Sequence, residues 1–221
     1  MLSDSIFHII FSQTALIFYL LAYLLGSINF AIIFAKIFHL PSPRTLGSGN
    51  PGATNMLRTG SKKAAALTLI FDLLKSLLIV IIAKLSHEPL IVTATTGLAA
   101  LIGHIFPIFF RFKGGKGVAT LIGSLLGFAP ILGFCFVIIW GLTLALTKIS
   151  SLSALISSVL VLAMSYFYYF SYFQPAFYPK IETLENITEL KAVFYIILVM
   201  ILLVLFRHHG NIKRLILGQE K

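Results

Sequence analysis

The chain is poor in charged residues and in cysteine, and both scarcities limit what kind of protein it can be. Only 11% of its 221 residues are charged and 58% are hydrophobic, whereas a soluble domain carries roughly 25% charged residues. A soluble globular protein is therefore excluded, and the composition indicates an integral membrane protein. The single cysteine, Cys135, lies in an apolar run, where it cannot form an intrachain disulfide and is expected to pack.

Several metal-binding and catalytic patterns are also missing. The seven acidic residues are scattered, and no group of Cys, His and carboxylate residues has the spacing of a zinc or iron site. The adjacent His208 and His209 would point in different directions on a helix. No Gly-x-Ser-x-Gly or Ser-x-x-Lys pattern indicates a nucleophilic serine. We expect no metal and no cofactor, and nothing in the sequence indicates a nucleic-acid partner.

Long apolar runs are present, and they predict seven transmembrane helices. A crossing needs roughly 20 residues, and the runs lie near residues 14–38, 64–85, 90–108, 118–128, 130–147, 152–170 and 190–206. The 118–128 run is about half a crossing, so we expect the fourth and fifth helices to be short and tilted, or one of them to be re-entrant. The first run lacks the basic flank and cleavage site of a signal peptide, and we expect a retained helix. The predicted fold is an all-α membrane bundle, with residues 1–221 in one domain.

Basic residues gather on one side of the predicted bundle. Thirteen of the 17 Lys and Arg residues lie in or beside the loops 39–63 and 109–117, at Lys148, and after the last helix. The positive-inside rule makes this side cytoplasmic, which puts the N-terminus outside and the C-terminus inside. Attraction to anionic lipid headgroups would account for the charge in bulk. It does not account for the Gly, Asn, Ser and Thr residues interleaved with it.

The first basic loop, 46–58, is dense in small and hydrogen-bonding residues. The side chains of Ser48, Asn50, Thr54 and Asn55 can bind hydroxyls or phosphate, and Arg58 can grip a phosphate with two hydrogen bonds. The alternative is a turn-rich loop that only caps the next helix.

The second basic loop contains Lys113-Gly114-Gly115-Lys116-Gly117, directly before an apolar run. Glycines let backbone N–H groups approach a ligand, and a helix start with nearby lysines attracts an anion. Because Val118 follows Gly117, the pattern is not a Walker A loop, and a nucleoside triphosphate is not predicted. The alternative is a flexible basic loop that touches lipid headgroups.

Other polar residues are open to two interpretations each. Ser151 could cap a helix or bind a polar substrate, and His104 could line a site or only cap its helix. His208 and Asn211, three residues apart, would share a helix face. Asp72 and Lys75 have the same spacing and can neutralise each other; we favour a structural brace over a functional pair.

Together the motifs at 47–58, 112–120 and 208–215, with Phe71-Asp72-Leu73-Leu74-Lys75, resemble those of the bacterial membrane acyl-phosphate:glycerol-3-phosphate acyltransferases, the PlsY family. The resemblance runs from about residue 24 to 220. It implies a seven-helix bundle in the bacterial inner membrane, with the active site facing the cytoplasm. The implied reaction transfers a fatty acyl group from acyl phosphate to the 1-hydroxyl of glycerol 3-phosphate, giving lysophosphatidate and phosphate, without acyl-CoA or acyl carrier protein as direct donor.

The resemblance also assigns residues. It implies that the Gly114–Gly117 turn holds the donor phosphate and that glycerol 3-phosphate meets Lys113, Ser151, His208 and Asn211. With the candidates from the loops and helices, the predicted catalytic residues are Ser48, Arg58, Lys116, Ser151, His208 and Asn211; the predicted substrate-binding residues are Asn50, Thr54, Asn55, His104, Lys113, Gly114, Gly115, Lys116 and Gly117. His209 departs from the family, which often has Arg there, and the stretch 169–189 looks longer than usual.

We expect direct attack by glycerol 3-phosphate with no acyl-enzyme, in a monomer that contacts membrane lipid. A lipid or phosphate transporter or scramblase would share the basic ends, but transporters often show internal repeats and midplane polar sites, and the sequence shows neither. A CDP-alcohol phosphotransferase would need an aspartate-rich metal motif, whereas Asp72 stands alone among the predicted helices.

Overall fold

Within the part of the chain that the structure describes, every regular element is a helix. The structure, a computed structural model, describes residues 7–170 and 184–220. From Gln13 onward its described α-helices are α1 (Gln13–Gly26), α2 (Phe30–Ile37), α3 (Ala53–Leu57), α4 (Lys62–Leu85), α5 (Leu90–Ile105), α6 (Val118–Phe128), α7 (Pro130–Thr147), α8 (Ser150–Phe170), α9 (Leu184–Arg207) and α10 (His209–Ile216). The predicted all-α fold is confirmed for these ranges.

Six described segments are long and apolar enough to cross a membrane: Gln13–Ile37, Lys62–Leu85, Leu90–Phe110, Pro130–Thr147, Ser150–Phe170 and Thr188–Arg207. The seventh apolar helix, α6, has 11 residues and is about 16 Å long at ~1.5 Å per residue. Its short length matches the run at 118–128. The count of seven crossings and the side of each terminus stay predictions, and most of the 169–189 stretch lies outside the described residues.

The first predicted helix, 14–38, is wrong as one continuous helix, because it is broken between α1 and α2. The Asn29 side chain accepts a hydrogen bond from the Ile32 N–H at 3.1 Å and so begins a new helix. The break frees the Ile28 carbonyl, which accepts a hydrogen bond from the Lys75 ammonium at 2.7 Å. A polar contact at this depth therefore depends on the interruption.

The short helix α6 lies in the middle of the bundle, where it packs against α4 and α5. It crosses α4 so closely that a Cβ atom on Gly123 would lie 2.2 Å from the Leu73 carbonyl oxygen. The Ser76 hydroxyl donates to the Thr120 carbonyl across the same contact, at 2.8 Å. Small residues and interhelical hydrogen bonds are the usual means of holding membrane helices together. The α4–α6 pair is therefore a fixed frame for the loop that precedes α6.

Replacing Gly123 with alanine should weaken this frame. We expect Gly123→Ala to destabilise the protein by about 1–3 kcal/mol, since the new methyl group has no room, and to lower the apparent Tm by a few degrees. Gly141→Ala on α7 is the matched control, because a Cβ atom there meets nothing within 4 Å. Thermal loss of helical circular dichroism in detergent measures both; equal Tm values would contradict the close crossing.

Candidate active site

A cavity of about 560 Å³ lies where the basic loops meet the helix ends. Eleven of the predicted site residues line it: Ser48, Asn50, Thr54, Asn55, Arg58, His104, Lys116, Gly117, Ser151, His208 and Asn211. An apolar part of its wall comes mainly from α4, α6 and α7, with Leu69, Leu73, Val118, Ala119, Ile122, Val137 and Trp140. One cavity thus has a basic, hydrogen-bonding part and an apolar part.

The other predicted residues lie beside this cavity. Lys113 and Gly114 line an adjoining cavity of about 390 Å³, which shares Ser48, Asn50, Lys116 and Asn211 with the first. Gly115 packs against the ring of His104, and a Cβ atom there would lie 2.1 Å from the His104 Nε2. His209, where the family often has Arg, is exposed and lines the smaller cavity.

The glycine turn before α6 is held by one cation, Arg207, on its carbonyl side. The Arg207 guanidinium donates to the carbonyl oxygens of Gly114 and Gly115 at 3.0 and 3.2 Å. Gly117 has φ +88°, which favours glycine, and α6 starts directly after it without a side-chain cap. Since Lys116, Gly117 and Val118 line the large cavity, the positive end of the α6 dipole lies at its wall. The role of Arg207 is not predicted by the sequence, in which it is part of a basic tail.

The first basic loop is folded around Asn55. Its side-chain amide donates to the carbonyls of Pro43 and Leu46 at 2.9 and 2.8 Å, and its oxygen accepts from Arg58 at 3.0 Å. Asn55 is only 2% exposed. It was predicted to bind substrate, but these three hydrogen bonds favour a role in orienting Arg58. Thr54 and Ser150 hydroxyls, 3.3 Å apart, join this loop to the start of α8.

Glu220 is not among the predicted site residues, although it lines the cavity and binds three neighbouring side chains. Its carboxylate accepts hydrogen bonds from Ser151 at 2.7 Å, from Asn211 at 2.5 Å and from Arg214 at 2.5 Å. Burial disfavours the ionised form, but these hydrogen bonds outweigh it and hold the Glu220 pKa below its ordinary value. An isolated acid in a basic tail was the one signal that could have pointed to it.

His208 is buried beside this cluster and is a weak base. Its Nδ1 lies 2.7 Å from the Val204 carbonyl oxygen, and since a carbonyl only accepts, Nδ1 carries the proton and Nε2 is left as an acceptor. Burial, followed by the nearby Lys116 charge, lowers the His208 pKa to about 4. The ring is therefore neutral near pH 7.

Among the cations of the glycine loop, Lys116 is the one whose pKa is most strongly changed by its surroundings. Burial lowers its pKa to about 8, Glu220 opposes the shift, and the positive charges of Arg214, Arg58 and Arg207 add to it. Lys116 is thus mostly charged at pH 7 and loses its proton far more easily than an exposed lysine. A bound anion would relieve the repulsion.

Metal binding has no support in the described residues. Across 7–170 and 184–220, no three His, Cys, Asp or Glu side chains are grouped so that they could hold a metal ion.

The predicted Asp72–Lys75 ion pair is confirmed, with 2.8 Å between the carboxylate oxygen and the ammonium nitrogen.

Comparisons with known proteins agree on one family. The family model described as glycerol-3-phosphate acyltransferase matches residues 16–218. Two curated proteins named glycerol-3-phosphate acyltransferase are similar over 199 residues, 90% of this chain and 88% of their own length. One, from Francisella tularensis subsp. novicida, is 53% identical, and one from Francisella philomiragia subsp. philomiragia is 50% identical.

Solved structures give the same result for the fold. Two crystal structures of PlsY, an integral membrane glycerol 3-phosphate acyltransferase, are similar over 95% of this chain and 95% of theirs. The glycerol 3-phosphate form has a TM-score of 0.79 at 33% identity, and the lysophosphatidic acid form has 0.77 at 32%.

Glu220→Gln should lower the apparent Tm at pH 7, because the neutral amide loses the ion pair with Arg214 and leaves its partners poorly matched. The folded-state pKa of Glu220 is depressed, so its contribution is present above its ordinary pKa of 4.5 and is lost as pH falls through the folded pKa.

The Tm difference between wild type and Glu220→Gln should therefore stay nearly constant from pH 7 to about 5 and narrow as the pH falls below 4.5. Glu88→Gln is the control for the loss of a carboxylate; Glu88 lies beyond the C-terminal end of α4, and its replacement should change Tm little. A Tm gap that does not narrow at any pH below 4.5 would show that the Glu220 charge is not what stabilises the cluster.

Proposed function

The chain belongs to the glycerol-3-phosphate acyltransferase family, and we propose that it acylates the 1-hydroxyl of glycerol 3-phosphate with acyl phosphate as the donor. The products are lysophosphatidate and inorganic phosphate, and the reaction is the first acylation step of phospholipid synthesis. The observation that carries the proposal is the two-part cavity, in which a basic wall adjoins an apolar one. Acyl phosphate has the same two parts, and glycerol 3-phosphate adds a second anion.

The basic wall offers places for two phosphates. The donor phosphate is assigned to the Gly114–Gly117 turn, where the Lys116 ammonium and the start of α6 are available. Ser48, Asn50 and Arg58 face the same cavity and are assigned to it as further donors. Glycerol 3-phosphate is assigned to Lys113, Ser151, His208 and Asn211. Glu220 holds Ser151 and Asn211 in place by accepting a hydrogen bond from each. The acyl chain is assigned to the apolar wall that contains Val137 and Trp140.

The proposed chemistry is a direct transfer. The 1-hydroxyl oxygen attacks the carbonyl carbon, a tetrahedral oxyanion forms, and the bond from that carbon to the phosphate oxygen breaks. The hydroxyl proton goes to a substrate phosphate, whose second pKa is about 6, because His208 with a pKa of about 4 is the weaker base. Positioning of two anions and stabilisation of the oxyanion are then the protein's main contributions.

The proposal includes a topology. We place seven crossings in one domain of a monomeric protein of the bacterial inner membrane, with α6 as the short one. The N-terminus lies outside and the C-terminus in the cytoplasm. The loops that carry the cavity's cations are those that the positive-inside rule assigns to the cytoplasm. Both charged substrates would then reach the site from that side.

The direct test is phosphate release from palmitoyl phosphate by the purified protein, without added metal or nucleotide. Release should require glycerol 3-phosphate and should match the lysophosphatidate detected by mass spectrometry.

Lys116→Ala and Arg58→Ala should each lower turnover by about 100-fold or more, the scale for loss of a preorganised charge contact. Absence of release would refute the proposed donor, and an acylated serine or histidine would refute direct attack.

Deprotonation of Lys116 should cause the fall in activity on the alkaline side of the pH profile. If its charge holds the donor phosphate, kcat/KM for acyl phosphate should fall as pH rises through about 8, where Lys116 loses its proton. Lys116→Arg, which stays charged, should lose this limb even if its activity is lower. The same alkaline fall in the arginine variant would assign the limb to another group.

A further inference from the structure

Three buried polar side chains lie behind the glycine turn, and the mechanism above uses none of them. Asp72 on α4 is 2% exposed, Lys75 one turn later is 6% exposed, and His104 on α5 is 5% exposed. All three belong to segments long enough to span the membrane. Ionisable groups at such positions are costly and mark function by default.

The Lys75 ammonium is surrounded by three acceptors. Its nitrogen lies 2.8 Å from the Asp72 carboxylate, 2.7 Å from the Ile28 carbonyl oxygen and 2.9 Å from the His104 Nδ1. A carboxylate and a carbonyl can only accept, so they take two of the three ammonium hydrogens. The third hydrogen points to His104, whose Nδ1 must therefore accept it.

This contact fixes the tautomer of His104. With Nδ1 as the acceptor, the neutral ring carries its hydrogen on Nε2. The Nε2 edge faces the Gly115 backbone, where a Cβ atom would lie only 2.1 Å away. His104 also lines the large cavity, as do Gly117 of the glycine turn and Leu73 of the apolar wall. A hydrogen-bond donor is thus held between the glycine turn and the apolar wall.

We propose that His104 donates its Nε2–H to the carbonyl oxygen of acyl phosphate, and that Asp72 and Lys75 are positioning residues that hold it ready to donate. The inference rests on the function proposed above. The reacting carbonyl joins the phosphate to the acyl chain, so it lies where the glycine turn meets the apolar wall, which is where His104 lies. A preorganised neutral donor stabilises the oxyanion as it forms and takes no proton from it.

Two substitutions of His104 separate this role from a structural brace. Asn offers an acceptor near the position of Nδ1 and can keep the Lys75 contact, but it has no donor at Nε2. Gln offers an N–H near the position of Nε2. We expect His104→Asn to lower kcat by about 100-fold, with KM for glycerol 3-phosphate unchanged, and His104→Gln to retain much more activity at a comparable Tm. A brace would give the reverse order, with His104→Asn the more active variant, and that order would overturn the proposal.

Nitrogen NMR of histidine-labelled protein tests the positioning residues directly, with His104→Asn used to assign the signal. The wild type should show an unprotonated Nδ1 and a protonated Nε2 at His104. The double variant Asp72→Asn/Lys75→Met removes both charges together and leaves no lone buried ion. It should lose the single tautomer and lower kcat. A protonated Nδ1 in the wild type, or a double variant with the wild-type kcat, would overturn the role of Lys75.

The two proposals can fail separately. If wild-type protein releases no phosphate from palmitoyl phosphate, the proposed function fails and the acyl-phosphate contact fails with it, whereas the nitrogen signals still decide the His104 tautomer. If the wild type is active and His104→Asn has the same kcat, the proposed function stands and the donor role of His104 is wrong.

Discussion

Repulsion among basic side chains is the constraint on which this structure depends. Arg58, Lys116, Arg207 and Arg214 come from three parts of the chain and converge near one cavity, where burial first, and then the charges of the three arginines, lower the pKa of Lys116. Glu220 balances part of this charge and ties Arg214, Ser151 and Asn211 together. The remaining positive potential favours small anions over neutral ligands. Apolar helices alone would not need such an arrangement, and it suits the two phosphate-bearing substrates that we propose.

The helix frame keeps the cations in place. The close crossing of α4 and α6 fixes the helix that follows the glycine turn. Arg207 orients the turn itself by donating hydrogen bonds to the carbonyls of Gly114 and Gly115. The break between α1 and α2 supplies a free carbonyl at Ile28, which completes the surroundings of Lys75. Backbone groups released by irregular segments are thus used as ligands for buried cations, as expected where no water can satisfy them.

Apolar runs predicted most of the helices because a membrane imposes their length and composition. The loop motifs predicted most of the residues that line the cavity, because polar residues between apolar helices gather at the helix ends. The unpredicted features depend on contacts distant in sequence. The Asn29 cap that breaks the first helix is a local signal obscured by its apolar neighbours. Arg207 meets Gly114 from 93 residues away, and Glu220 meets Ser151 from 69 residues away. An asparagine such as Asn55 can bind a polar substrate, and only its hydrogen-bond partners in the folded chain indicate that it orients Arg58.

The apolar wall contains Trp140, and the chain has one tryptophan. Indole emission depends on the polarity around the ring, so the protein carries an intrinsic reporter at the place assigned to the acyl chain. Its fluorescence would change with the filling of this wall and not with events at the outer loops. Occupancy by chains of different length could therefore be followed in the unlabelled protein, even when no turnover takes place.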